Sequence, residues 1–321
     1  MPRIGVGFSY RGFKPKELAG MKKVLFIVLM VFLSIKGASG ADNPVIVLGV
    51  FTDAHYSATK PDKAGRLYKA SKQKVEEAVE VFNAKEVDMV ISLGDIVDNE
   101  FGDYADISQH LNKLKMPFHT ILGNHDFIVP FSLQQQNDVF KTLGVSERYF
   151  SIVKGKVRLI FLDTSDVAMY SNAAESMNYR EAEAIMSQLK DDCAVNAKNY
   201  NGAIGKAQMQ WLQAQLNDAA LASEKVICFS HIPLDVNDGE KYTLWNRDDI
   251  VEILKVNSCV MSYIAGHHHV GGYSDTGGIH HIVMKGMVQG PENSFAVISI
   301  YEDRIVIDGY GREDDREYNF R

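Results

Sequence analysis

Five short apolar runs in this chain each end in a cluster of oxygen and imidazole donors, and that repetition limits the fold more than any other feature. Met89-Val90-Ile91-Ser92-Leu93 has the length and β-branched content of a buried strand, and Gly94 then allows a tight turn into Asp95 and Asp98. The other four clusters are Asp53-Ala54-His55, Gly123-Asn124-His125-Asp126, Ser230-His231 and Gly266-His267-His268-His269. A carboxylate placed just after a strand sits on the carboxyl edge of a sheet, where α/β proteins carry their chemistry. Five such clusters together point to a metal centre built from oxygen and nitrogen ligands, with Asp95 as the bridge between two ions.

From Val45 onward the chain alternates short apolar strands with amphipathic helical stretches, the pattern of an α/β sandwich. Strands are expected at Val45–Thr52, Met89–Leu93, Met116–Leu122, Val226–Ser230 and Val260–Ala265. Lys154-Gly155-Lys156 joins a hairpin of Tyr149–Val153 and Val157–Asp163. Helices are expected at Lys63–Ala84, Tyr104–Leu114, Phe131–Leu143, Lys206–Leu221 and Arg247–Val256. Alternating runs at Ile279–Val283, Phe295–Tyr301 and Arg304–Ile307 read as antiparallel strands closing a second sheet. Residues 164–205 form a polar insertion with one helical stretch at Tyr179–Leu189, and an excursion of this length usually acts as a lid or specificity loop. Its tyrosines, Tyr170, Tyr179 and Tyr200, are candidate contacts.

Residues 1–40 stand apart from this pattern. Met21-Lys22-Lys23 precedes an apolar run from Val24 to Ile35, and small residues at Ala38 and Gly40 follow, which together read as a cleavable secretory signal. The run is short for a bilayer span, so no stable membrane insertion is expected after cleavage. Met21 is a candidate true start. The expected organisation is therefore an extension and signal over 1–40 and one catalytic domain over 41–321, secreted or periplasmic. The formal charge is −7, and residues 1–40 carry seven Lys/Arg against one acid, so their removal takes it to −13. That balance argues against general nucleic-acid binding, which relies on cationic surface. The three cysteines, Cys193, Cys228 and Cys259, cannot all pair within one chain, and no zinc-finger spacing occurs.

Two divalent ions roughly 3.5–4 Å apart can clamp the oxygens of a phosphoryl group during in-line displacement. On an extended backbone Asp53 and His55 would share a side, as would His267 and His269, while His268 would point away and take no ligand role. The order Asp-x-His, Gly-Asp-x-x-Asp, Gly-Asn-His-Asp, His, Gly-His-x-His resembles the calcineurin-like metallophosphoesterases. That resemblance implies a four-layer α/β/β/α sandwich of two mixed sheets flanked by helices. It implies one metal held by Asp53, His55, Asp95 and His269, and another by Asp95, Asn124, His231 and His267. It further implies that His125 contacts the phosphoryl group and assists the leaving oxygen, that Asp126 orients His125, and that Asp98 supports the ligand loop.

A narrower resemblance covers Gly202-x3-Lys206-x-Gln208-x2-Trp211-Leu212, Ser230-His231-Ile232-Pro233, Leu244-Trp245-Asn246, Gly271-Gly272-Tyr273, Gly278-Ile279-His280-His281, Tyr301-Glu302-Asp303-Arg304 and Arg66-x-Tyr68. These look like the manganese-dependent ADP-ribose/CDP-alcohol diphosphatases. The implied activity is hydrolysis of the phosphoanhydride of a small, anionic nucleoside diphosphate derivative by two-metal hydroxide attack. Manganese is the metal this resemblance implies, and the ligand types alone also suit Fe, Mg or Zn. His55 and Asp126 stand where that branch commonly carries Gln and Glu. Alternative readings keep the site but change the substrate to a phosphomonoester or cyclic nucleotide, or retain the fold as a binding protein without turnover. Arg66, Tyr68, Trp245 and Tyr273 are candidate substrate contacts through phosphate pairing and stacking. His110, His119, His280 and His281 lack partner spacing and are expected to be structural, and Asp163 is expected to serve a turn.

Overall fold

The structure is a computed structural model that describes Pro2 and residues 43–98, 100–128 and 133–321. The signal expected over 1–40 therefore lies, Pro2 apart, outside the described residues. So does the first part of the expected helix at Phe131. The chain forms a compact unit from Pro44 to Arg321.

Strand β1 (Ile46–Phe51) shows how the layers arise. Alternation sends Ile46, Leu48 and Val50 into the core between the two sheets, and Val47 and Phe51 toward the helices on the outer face. Gly49 lies on that outer face because a Cβ there would come within 2.6–2.8 Å of the Phe82 ring. Phe82 belongs to α1 (Ser71–Lys85), which buries Val75, Ala78, Val79 and Phe82 along one stripe and ends where Glu86 turns left-handed, at φ 51°. Replacing Leu48 by Ala at this fully buried position would cost about 2–5 kcal/mol.

The first sheet continues with β2 (Met89–Ser92) and β3 (Phe118–Thr120), both parallel to β1. Between them runs α2 (Asp103–Leu111), and after β3 come the short α3 (Asn124–Ile128) and then α4 (Leu133–Thr142). The second sheet starts with the hairpin β4 (Phe150–Lys154) and β5 (Val157–Phe161). The insertion follows and carries α5 (Met177–Asp191), whose N-cap Ser176 accepts a hydrogen bond from the Tyr179 backbone N–H at 3.1 Å. Next come α6 (Lys206–Ala222), β6 (Lys225–Phe229), α7 (Arg247–Lys255) and β7 (Val260–Ala265).

The last five strands are β8 (Gly272–Thr276), β9 (Ile279–Val283), β10 (Ser294–Ile300), β11 (Arg304–Gly311) and β12 (Arg316–Asn319). They do not all close the second sheet as expected. The first sheet runs β12-β11-β10-β1-β2-β3 and the second β4-β5-β6-β7-β9-β8. β10 pairs antiparallel with β1, whereas β9 pairs parallel with β7. Helices α1, α2 and α4 pack on one sheet, α6 and α7 on the other, and the apolar faces of the two sheets meet in between. This is the four-layer α/β/β/α sandwich of two mixed sheets that the sequence led us to expect. Among the described residues no helix is long and apolar enough to cross a membrane.

Candidate metal centre

The parallel strands β1, β2 and β3 of one sheet and β6 and β7 of the other release their donor clusters toward a common edge. Asp53, His55, Asp95 and His267 all have left-handed backbones, with φ between 44° and 65°. Non-glycine residues adopt this conformation at a cost and cluster at functional sites. The convergence of Asp53 with His55 thus comes from a folded loop rather than from the strand alternation expected. That loop runs beside the one after β2, with the backbone N–H of Asp53 donating to Gly94 O at 3.0 Å and that of His55 to Asp95 O at 2.8 Å. Gly94 has φ +102°, and a Cβ there would lie 2.5 Å from the Gly123 nitrogen, so the tight turn requires glycine.

Asp95 Oδ2 lies 3.3 Å from His55 Nε2 and 3.4 Å from His231 Nε2, while Oδ1 accepts the His125 backbone N–H at 2.8 Å. On one side of Asp95, Asp53 Oδ1 is 3.5 Å from His55 Nε2 and 3.1 Å from His269 Nε2, and the two imidazole nitrogens are 3.2 Å apart. On the other side His231 Nε2 and His267 Nδ1 are 3.1 Å apart, with Asn124 Oδ1 buried and without a hydrogen-bond partner. Asp53 Oδ1 is likewise buried with no such partner, although Asp53 Oδ2 is held by the Thr52 hydroxyl and the His267 backbone N–H. Orphaned buried oxygens are costly unless something binds them. Donor separations of roughly 3.0–3.5 Å match the edges of a coordination shell with ligand distances of about 2.0–2.2 Å. The residues fit two cations: Asp53, His55 and His269 stand as one group, Asp95, His231 and His267 as another, and the Asp95 carboxylate reaches both.

Further residues fix which imidazole nitrogen faces inward. His231 Nδ1–H donates to Leu93 O at 2.7 Å, and His55 Nδ1–H to Asp98 Oδ1 at 2.9 Å, leaving both Nε2 atoms free to ligate. His267 is reversed: its Nε2 bonds Asn201 Oδ1 at 3.0 Å, so Nδ1 turns inward. Asn201 is fully buried, and its amide donates to Asn196 O and Lys241 O. The sequence reading missed this residue. Its one signal was the turn-forming pair Asn201-Gly202 next to Tyr200.

Electrostatics follow from the crowding of acids and imidazoles. Burial disfavours the Asp95 and Asp53 carboxylates, but the surrounding imidazoles outweigh it and hold both well below the usual range. Burial likewise opposes protonation of His55 and His231, yet the Asp95 charge beside them raises each from 6.5 to about 9. Burial, reinforced by the charge of His231, keeps His267 well below its ordinary value. A metal bound at Nε2 of either ring would have to displace the proton that these raised values favour.

His125 lines the cavity with its side chain about one-quarter exposed, and its Nδ1 donates to Asp98 O at 3.1 Å. Asp126 does not orient it, which corrects the expectation. One Asp126 oxygen accepts from the Asp95 and Gly123 backbones at 2.8 and 2.9 Å, and the other from the Tyr104 hydroxyl at 2.8 Å. Asp126 therefore ties two donor loops together rather than serving catalysis. Asp98 bonds His55 through its side chain and His125 through its backbone carbonyl.

The cavity over the donors has a volume of about 280 Å³ and is lined by Arg66, Tyr200 and Tyr242 as well as the donor residues. The other expected substrate contacts are corrected. Tyr68 is buried, with the Lys60 ammonium 4.6 Å above its ring. Trp245 is buried in the insertion's own core and donates to Lys198 O. Tyr273 stacks on Tyr318 at 4.5 Å. In their place Tyr200 and Tyr242 lie 5.8 Å apart, with His267 5.6 and 5.9 Å from them. His268 points away from the donors, as expected, and stacks on Tyr242 at 4.7 Å. Asp163 caps a turn, accepting the Ser165 backbone N–H at 2.9 Å.

A calcineurin-like phosphoesterase profile matches residues 46–271. Manganese-dependent ADP-ribose/CDP-alcohol diphosphatases are similar over most of their length. The Mus musculus protein is 27% identical over 88% of this chain and 95% of its own, and the Homo sapiens protein 28% over 80% and 86%. The crystal structure of a dimetal phosphatase from Danio rerio superposes with a TM-score of 0.75 at 25% identity, covering 87% of this chain and all of that one.

The chain belongs to the calcineurin-like phosphoesterase family, and it is a metal-dependent phosphohydrolase with a two-ion site.

Proposed function

We propose that this phosphohydrolase cleaves the phosphoanhydride of small nucleoside diphosphate derivatives, of the ADP-ribose or CDP-alcohol kind, with manganese as its working metal. The observation that carries the reading is the aromatic wall of Tyr200 and Tyr242, set against His267 in the cavity over the donors. A nucleobase stacked on that wall would place its phosphates over the metal residues, and the Arg66 guanidinium suits their oxygens. The names of relatives similar over most of the chain support the same class.

Two bound divalent ions supply Lewis-acid neutralisation of phosphoryl charge and make water a usable nucleophile near neutral pH. The chain itself binds, orients and moves protons around them. Asp95 sets the spacing by presenting one oxygen to both histidine groups, and Asn201 and Leu93 fix the ring tautomers of His267 and His231. With Nδ1 held by Asp98 O, His125 has Nε2 left for the substrate. Burial lowers the His125 pKa below its ordinary value, partly offset by the Asp95 charge.

The test is chelator-stripped protein reloaded separately with Mn, Mg, Fe and Zn, and assayed on ADP-ribose, CDP-choline, a cyclic nucleotide and a simple phosphomonoester. Release of AMP and CMP, fastest with Mn, is the expected result. Faster cleavage of the monoester or cyclic nucleotide would keep the metal centre and reject the substrate class, and the absence of turnover with every metal would favour a binding protein.

A further inference from the structure

Asp98 connects the donor set to His125, and it carries a partner that the metal scheme does not use. Its side chain is fully buried, with Oδ1 on His55 Nδ1 at 2.9 Å and Oδ2 paired with the Lys60 ammonium. Its backbone carbonyl accepts from His125 Nδ1 at 3.1 Å, and its Oδ1 lies 3.6 Å from that same nitrogen. The His55 and His125 rings meet edge to face with centroids 4.5 Å apart. One carboxylate is therefore within reach of two imidazole N–H groups, and only one of those contacts keeps His55 aimed inward.

Lys60 decides that competition. It lies on the loop after the Asp53-x-His55 cluster, and its backbone N–H donates to Ser57 Oγ at 3.2 Å. Its ammonium sits 4.6 Å over the Tyr68 ring, a cation–π contact that fixes where the charge can be. Among the described residues Tyr68 is thus the platform for Lys60, which accounts for its burial away from the substrate cavity. Without Lys60, Asp98 Oδ2 would be a buried acceptor with no partner among the described residues. The carboxylate would then gain by rotating toward the second imidazole N–H, that of His125.

We infer that Lys60 is a positioning residue of the metal centre: by pairing with Asp98 Oδ2 it fixes Asp98 Oδ1 on His55 and leaves His125 to the Asp98 backbone carbonyl. Lys60 does not line the cavity over the donors, so it acts through Asp98. Partners of ligand histidines typically change metal affinity by about 10–100-fold when lost, and Lys60 lies one contact further out. An effect of about 10-fold is expected.

The experiment is competition of the metal-free full chain against a chelating dye for Mn²⁺, which needs no substrate and so stands or falls apart from the proposed substrate class. Lys60→Met is expected to weaken Mn²⁺ binding about 10-fold. Lys60→Gln should recover only part of that loss, because an amide N–H can donate to Asp98 Oδ2 but carries no charge. Lys60→Arg should restore affinity, since a guanidinium can both pair with the carboxylate and stack on Tyr68. Placing Lys60→Met on top of Asp98→Asn should add nothing to the loss from Asp98→Asn alone. Turnover of a p-nitrophenyl phosphodiester by the Mn-loaded variants should fall in kcat with KM nearly unchanged. The inference is overturned by unchanged Mn²⁺ affinity in Lys60→Met, by full affinity in Lys60→Gln, by additive losses in the double variant, or by a rise confined to KM. The last result would make Lys60 a direct substrate contact.

Discussion

His125, partly exposed, and His281, buried, show how differently two histidines of one chain can act. His125 has one nitrogen fixed by a carbonyl and the other directed at the cavity, so its removal takes away a reacting group without touching the metal ligands. His125→Ala should lower kcat about 10²–10⁴-fold on nucleoside diphosphate derivatives while two equivalents of metal remain bound, as measured by kinetics and metal analysis on one preparation. Loss of metal in that variant would mean the residue is misassigned. His281 lies in β9, buried, with neither ring nitrogen hydrogen-bonded. Burial depresses it from 6.5 to about 4, only partly offset by the charges of Asp235 and Asp275. The unfolded chain therefore binds a proton that the folded chain refuses, so stability is fully present above pH 6.5 and is lost as pH falls toward 4. The contribution is on the order of 3 kcal/mol. Thermal melts from pH 7 to 4 should fall less steeply for His281→Phe than for the parent, and parallel curves would remove His281 as the cause.

The loops after the strands, rather than the strands themselves, carry the site, and this difference governs what could be read from sequence. The five donor clusters were legible because each follows an apolar run and each keeps a fixed spacing. Their backbone was not, because the left-handed turns at Asp53, His55 and His267 depend on the facing loops. β8 and β12 were missed for a similar reason. Gly272–Thr276 and Arg316–Asn319 have mixed burial and no clean apolar alternation, and they become strands only by pairing with β9 and β11. Tyr200 was among the candidate contacts, but Tyr242 was missed because the two lie 42 positions apart in sequence and only the fold brings them together. The insertion is the element with the most direct consequence. Asn201 reaches from it to His267, so it helps to build the metal centre as well as to cover it. Asn201→Ala should weaken the ion on the His231/His267 side about 10–100-fold and leave the ion on the Asp53/His55/His269 side in place. A Mn²⁺ titration would show this as one tight and one weakened equivalent, and two unchanged equivalents would contradict it.

At the scale of the whole molecule, an acidic protein must attract an anionic substrate through local charge. The formal charge of −7 opposes a nucleotide at long range, and the bound ions with Arg66 at the cavity must overcome it. We propose that residues 1–40 are removed on export, a reading that rests on the sequence alone and that N-terminal sequencing of the mature protein should support by beginning at Ala41. An α/β sandwich was legible from the alternation of strands and helices, and its four layers from the family resemblance. The distribution of the last strands over two sheets was not, because alternation sets which face is buried but not which neighbour a strand pairs with. The central claim is that the two halves of the sandwich meet at one carboxylate, with Asp95 from the first sheet joining His55 of its own sheet and His231 of the other. The most direct test is the Mn²⁺ stoichiometry of the stripped protein beside that of Asp95→Ala. The account predicts two ions per chain in the parent, and loss of tight binding at both positions together with turnover in the variant. A parent that binds one ion, or a variant that keeps two with near-normal turnover, would contradict it.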